Sequence, residues 1–225
     1  MPRSRQGCRY VEVHLKRPEG KIILGRHGQT LYNRDGFIMG HTDSQLVPDA
    51  IPRVRLLASM LVEERVSDIH SSTLGRAALT AAICSEVIQA PLHFRSEMRE
   101  LSCGMWEGRL RREVTGDSPL LRNTWEDSPP GGESYRDGEN RVSPFLEELI
   151  NRLASDETAL LVGHAGINRA ILRLLLELEP AQAISIRCPH DMIYIVGNTG
   201  PVGHKYSTGE EGEGLIHECH AMSVP

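Results

Sequence analysis

The sequence predicts an α/β fold: a three-layer α/β/α sandwich around a mostly parallel sheet, in a single domain. Two observations support this. Short apolar runs alternate with stretches of helical periodicity, and strands separated by helices pair in parallel with helices on both faces. Two of the runs also end alike, Lys21–Ile–Ile–Leu–Gly–Arg–His–Gly28 and Ala159–Leu–Leu–Val–Gly–His–Ala–Gly166. Each puts a small-residue turn and a histidine at the carboxyl end of a strand, the edge where open α/β sheets bind ligands.

The elements follow in order. After the first strand comes a loop with Gly36, Gly40 and Asp43, then a helix around Ala50–Arg65 with Ile51, Val54, Leu57, Ala58 and Leu61 on one face. Val66–Ser71 reads as a second strand. Leu74–Ile88 reads as a helix whose inner face is small (Ala77, Ala78, Ala81, Cys84), so it can sit close to a sheet. Pro91–Arg95 suits a short strand. Residues 101–133 are rich in loop signals and weakly periodic, as a functional lid would be. A helix follows from Ser134 to Leu153, with Gly138 and Pro144 weakening its first half. The second histidine strand leads into a helix with Ile167, Ala170, Ile171, Leu174 and Leu178, and Met192–Val196 is a last strand. This divides the chain into an N-terminal extension (1–20), a core domain (21–197) and a polar, glycine-rich C-terminal tail (198–225), read as a mobile segment or a lid over the site.

Composition narrows the function. The 225 residues are 40% apolar but only 4% aromatic, so aliphatic side chains must fill the core. A net charge of −5 with no basic block gives no footprint for nucleic acid. No apolar run approaches the ~18 residues of a membrane span, and the first twenty residues lack a signal peptide's apolar stretch. Five cysteines, an odd number without a C-x-x-C pair, argue against a disulfide framework and fit a reducing, cytoplasmic setting. His217, Cys219 and His220 could bind zinc, but their spacing fits no standard finger and they lie in the tail, which argues against a zinc site.

The residues around the first histidine suggest phosphate chemistry. In Arg26–His27–Gly28–Gln29–Thr30, with Asn33 beyond, an arginine can grip two phosphate oxygens in its planar fork. Gly28 permits a tight turn, and a helical turn starting there would offer free N–H groups to an anion. Thr30 and Asn33 could orient the ligand or the imidazole. Taken singly, each residue has a plainer explanation: His27 and His164 as hydrogen-bonded structural histidines, Arg76 as a surface helix residue, Trp106 and Trp125 as packing.

Together they form a pattern. Arg26–His27–Gly28–Gln29–Thr30–Leu31–Tyr32–Asn33 is followed by Ser71–Ser–Thr–Leu–Gly–Arg76–Ala–Ala, by Arg99–Glu100–Leu–Ser–Cys–Gly–Met–Trp–Glu107–Gly108, by Pro130–Gly–Gly–Glu–Ser134 and by Val162–Gly–His164–Ala165–Gly–Ile–Asn–Arg169. The series resembles the motifs of the histidine phosphatase superfamily, the phosphoglycerate mutase-like family, across roughly residues 20–197. The last two segments look most like those of α-ribazole and broad-specificity phosphatases. The resemblance implies His27 as nucleophile, Glu100 as proton donor and His164 as second catalytic histidine. It implies Arg26, Gly28, Thr30, Asn33, Arg76 and Ala165 as substrate contacts, and Glu107 as structural. His41, in a loop that borders the site in the family, is a further candidate contact.

The implied activity is metal-independent hydrolysis of a small phosphomonoester through phosphohistidine, with no cofactor. Phosphoryl transfer of the phosphoglycerate mutase type, or a non-catalytic phosphate-binding module, are the alternatives. The loop Gly36–Asp43 lacks the tryptophan usual in the mutases. Ala165 stands where glycine is common, Thr73 where proline or aspartate is, and Asp43–Ala50 departs from the usual helix entry. The expected partner is a small phosphorylated metabolite, with no nucleic acid or membrane. Oligomeric state is open, a homodimer being one option.

Overall fold

The computed structural model describes residues 15–116, 121–197, 200–206 and 216–219, the last two stretches by backbone alone. Seven strands form one sheet: β1 (Lys21–Arg26), β2 (Val66–Ser72), β3 (Leu92–Arg95), β4 (Thr158–Gly163), β5 (Met192–Gly197), β6 (Gly200–Tyr206) and β7 (Ile216–Cys219), in the order β3-β2-β4-β1-β5-β6-β7. The first four in that order are mutually parallel, and β5, β6 and β7 continue the sheet in antiparallel fashion. Helices α1 (Leu31–Asp35), α2 (Ala50–Leu61), α3 (Gly75–Ile88), α4 (Arg111–Thr115), α5 (Tyr135–Arg152), α6 (Ala165–Leu176) and α7 (Pro180–Ser185) connect the strands.

Alternation along the central strands divides the core. Ile23 of β1 and Leu160 and Val162 of β4 pack with Val54, Leu57, Ala58 and Leu61 of α2 and the small face of α3, Ala77, Ala81 and Cys84. Ile22 and Leu24 of β1 and Ala159 and Leu161 of β4 pack on the opposite side with α5 and α6, through Val142, Leu146, Leu149, Ile167 and Ile171. The period of two in a strand puts successive apolar residues on opposite faces, so continuous apolar runs belong to strands covered on both sides. The predicted sandwich is the observed one.

Details differ. The first long helix stops at Leu61, passes through a short 3-10 turn and ends where Arg65 takes a left-handed backbone, φ 52°. Ile51 is exposed, and Ala50 is the buried residue at that end. Pro144 lies inside α5 without ending it, and Ser134 caps the helix in a reciprocal box with Asp137. Gly138 is needed there, because a Cβ would fall 2.2 Å from the buried Leu101 side chain. The tail expected after Gly197 instead supplies β6 and β7: Gly200 pairs with Gly197, and β6 runs back along β5. Part of the N-terminal extension also packs, since Leu15 is buried in the core beside α5. The side chains of His217, Cys219 and His220 lie outside the described residues.

Candidate active site

Strands β1 and β4 are parallel neighbours in register, Arg26 opposite Gly163. The residue after each strand therefore emerges beside the other. The His27 N–H donates to the Gly163 carbonyl (3.0 Å), and the His27 and His164 rings lie 5.0 Å apart. Both imidazoles are buried. His27 Nδ1 is 2.8 Å from the Gly28 carbonyl, which can only accept, so Nδ1 carries the proton and Nε2 keeps its lone pair. The ring lines a cavity of about 340 Å³, with Arg26, Asn33, Arg76, Glu100 and Ala165 also in its wall.

Burial, then the charges of His164, Arg26, Arg76 and the neighbouring His190, hold His27 well below the usual imidazole range. Burial followed by Arg76 and Arg26 does the same to His164. Both rings are neutral at physiological pH, as a nucleophile and a hydrogen-bond donor require. His164 Nε2 meets the Ser72 hydroxyl at 2.8 Å, and that oxygen already accepts the Leu74 N–H. His164 Nδ1 is buried and has no partner among the described residues.

Arg76 stands in the first turn of α3. Its guanidinium donates to the carbonyls of Gly40 (2.7 Å) and Thr42 (2.9 Å) and pairs with Asp43 (3.1 Å), which fixes it in place and leaves Nε and one Nη2 proton unspent. Arg26 donates to the Cys188 carbonyl at 2.9 Å. Burial lowers its pKa to about 10, so it stays charged at neutral pH.

Glu100 sits at the start of α6. Its carboxylate accepts the N–H groups of Leu101 (2.9 Å), Gly166 (3.1 Å) and Ile167 (3.0 Å), an arrangement the positive end of a helix favours. The chain around Glu100 is held in turn by Arg141, which donates to the carbonyls of Glu97 and Arg99 and pairs with Glu133.

Several expectations need correcting. Gly28 offers no N–H to an anion: its amide donates to Thr80 Oγ1 (3.0 Å), and a Cβ there would meet Val54, Ala50 and Leu46. Thr30 is spent as the N-cap of α1 in a reciprocal box with Asn33, and neither Thr30 nor Gly28 lines the cavity. His41 gives its Nε2 proton to the Glu100 carbonyl at 2.8 Å and is not in the wall. The 101–133 stretch forms wall: within its described part, Leu101, Cys103, Arg111, Leu121 and Arg122 border the cavity.

That wall is clasped by Glu107, whose carboxylate accepts from the backbone of His41, Thr42 and Cys103 and from the Thr42 hydroxyl. Burial works against that charge, but these bonds outweigh it and lower the Glu107 pKa. Trp125 is a packing residue, stacked on Tyr135 and bonded to the buried Glu139.

Sequence reasoning missed four arginines of the wall, Arg111, Arg122, Arg169 and Arg187. Only Arg169 left a trace, one helical turn beyond Ala165 on the same face of α6.

The profile of the Histidine phosphatase superfamily (branch 1) matches residues 22–201. Glucosyl-3-phosphoglycerate phosphatase of Mycolicibacterium vanbaalenii is 31% identical over 168 residues, 70% of this chain and 75% of that one. Phosphoserine phosphatase 1 of Hydrogenobacter thermophilus is 32% identical over 173 residues, 75% and 82% of the two chains. A phosphoserine phosphatase mutant from Entamoeba histolytica, solved with phosphoserine, superposes with a TM-score of 0.67 at 27% identity, covering 82% of this chain and 94% of that one. The chain belongs to the histidine phosphatase superfamily.

Proposed function

We propose that the protein hydrolyses a small phosphomonoester through a phosphohistidine on His27, without a metal. The observation that carries this reading is a neutral, buried His27 with its proton fixed on Nδ1, beside a second buried imidazole whose Nδ1 has no partner among the described residues, in a cavity wall shared with Arg26 and the buried Arg76.

Nε2 of His27 attacks phosphorus in line, and the bond to the ester oxygen breaks. Arg26, Arg76 and the His164 Nδ1–H hold the equatorial oxygens, where charge is spread in the transition state. Glu100 gives a proton to the departing alkoxide and then takes one from the water that attacks phosphohistidine, which releases inorganic phosphate and restores His27. Asn33 and Ala165 complete the wall around the bound ester. These charges do the work that a metal clamp does in other phosphoryl-transfer sites. The chain's relatives include phosphatases of phosphorylated small molecules, and no helix among the described residues is long and apolar enough to cross a membrane. A cytoplasmic metabolite is the substrate this reading expects.

Turnover of p-nitrophenyl phosphate by the wild type and by His27→Ala tests the proposal. The expected result is release of inorganic phosphate with no bisphosphorylated primer, and a loss on the order of 10³-fold or more in the variant. Unchanged turnover in His27→Ala would remove the site, and primer-dependent isomerisation of phosphoglycerate would favour the mutase alternative.

A further inference from the structure

The cavity carries more positive charge than one phosphoryl group needs. Resting on the phosphatase reading above, we propose that the substrate bears a second acidic group, and that Arg122, Arg169 and Arg187 bind it. Among the described residues, six arginines and a single carboxylate, Glu100, line this space. The charge of Arg76 is met by Asp43 at 3.1 Å.

Among the described residues, Arg122, Arg169 and Arg187 have no such pairing. Arg122 is buried and donates to the carbonyls of Glu133 (2.7 Å) and Ser102 (2.9 Å), with the weakly accepting Cys103 sulfur at 4.0 Å. Arg169 donates to the Ile186 carbonyl (2.8 Å) and the Tyr135 hydroxyl (3.3 Å). Arg187 is exposed, and its side chain makes no hydrogen bond to a described residue. None of the three has a carboxylate within ion-pair distance among the described residues. Carbonyl and hydroxyl partners fix where these guanidinium groups sit while leaving their charge uncompensated, and Arg122 Nη1 and Arg169 Nη2 unspent. Holding cations in a cleft without anions is costly, and an acidic ligand relieves the cost.

Geometry brings these arginines to the leaving-group side. Glu100 accepts the Gly166 and Ile167 amides in the first turn of α6, and Arg169 lies in the next turn of that helix. Arg169 and Arg122 meet at Tyr135, Arg169 donating to its hydroxyl (3.3 Å) and Arg122 lying 5.8 Å from its ring centre. A substrate with its phosphorus at His27 and its ester oxygen at Glu100 therefore has Arg169 and Arg122 beside the rest of its leaving group. A cavity of about 340 Å³ is at the small end for ligand sites and suits a leaving group of a few carbons. A carboxylate or a second phosphate would satisfy the same arginines.

A matched pair of esters tests this with the full-length enzyme. Glycerol 3-phosphate and 3-phosphoglycerate share a skeleton and differ in a neutral hydroxymethyl against a carboxylate; 1,3-propanediol bisphosphate supplies the second phosphate. We expect kcat/KM at least tenfold higher for one of the two acidic esters than for glycerol 3-phosphate, the better one identifying the acidic group. A charge-assisted hydrogen bond is worth about this much. Arg169→Met and the exposed Arg187→Met should each cut that ratio severalfold, mainly through KM for the acidic ester. Turnover of p-nitrophenyl phosphate with no preference for an acidic ester overturns this proposal alone. So do variants that slow acidic and neutral esters equally. No turnover of any ester, p-nitrophenyl phosphate included, overturns the phosphatase reading and this proposal with it.

Discussion

Glu100 is the residue whose proposed role depends most on the leaving group. A proton matters for an alkoxide and hardly at all for p-nitrophenolate. Glu100→Gln should therefore lower kcat/KM, which reports the transfer to His27, by about 10²–10⁴-fold for an alkyl phosphate and far less for p-nitrophenyl phosphate. Equal losses of kcat/KM on both would assign Glu100 to capping α6 through the Gly166 and Ile167 amides and not to protonating the leaving group. Arg26→Ala should cost about 10²–10³-fold in kcat on either ester, as expected when a donor to a developing oxyanion is removed.

His27, Arg26, Arg76, Glu100 and His164 were legible in the sequence because each sits in a short motif next to a strand end or helix start. The misreadings at Gly28 and Thr30 have one cause. Their polar groups are claimed by Thr80 and Asn33, and the Thr80 partner lies fifty-two positions away, where no local pattern reveals it. Arg122 and Arg187 were hidden for a related reason: an isolated arginine in a loop looks the same whether it meets solvent or a cavity.

At the scale of elements, the site depends on how closely β1 and β4 and their following turns approach. Gly163 ends β4 where a Cβ would fall 2.2 Å from Asn168 Oδ1, and Asn168 is tied by its Nδ2 to the Gly25 carbonyl of β1 (3.0 Å). Gly163→Ala must push Asn168 off this strand-to-strand link. The expected cost is about 1–3 kcal/mol, read by urea unfolding, with a loss of kcat as His164 shifts from His27. Wild-type stability and kcat in this variant would show that the link does not set the imidazole spacing.

The alternation of strands and helices was readable because both faces of β1 and β4 are covered and their runs are continuously apolar. Strands β6 and β7 were not, because Gly200–Tyr206 has two glycines and a proline among its seven residues, so it lacks the apolar run that marks β1 and β4.

At the scale of the whole molecule, the fold buries imidazoles in neutral form. His27 and His164 lie well below their ordinary value through burial and neighbouring charge. Burial, with Arg95 and Arg152 nearby, takes His70 to about 4, and burial takes His190 to about 3. In the unfolded chain each would take up a proton near pH 6.5. The unfolded state therefore binds more protons than the folded one below that pH. Stability is full above about pH 6.5 and drains as pH falls toward 4. The urea midpoint should be flat from pH 7 to 8 and fall steadily below 6.5; a midpoint that stays level down to pH 5 would contradict the neutral burial of these rings.

The most direct test is to quench the enzyme in alkali during turnover of a ³²P-labelled phosphomonoester and locate the label. Phosphohistidine survives base and is lost in acid, unlike a phosphoserine or an acyl phosphate. The account predicts an acid-labile, base-stable label on Nε2 of His27 that is absent from His27→Ala. Label on any other side chain, or full turnover in His27→Ala without a labelled enzyme, would contradict it.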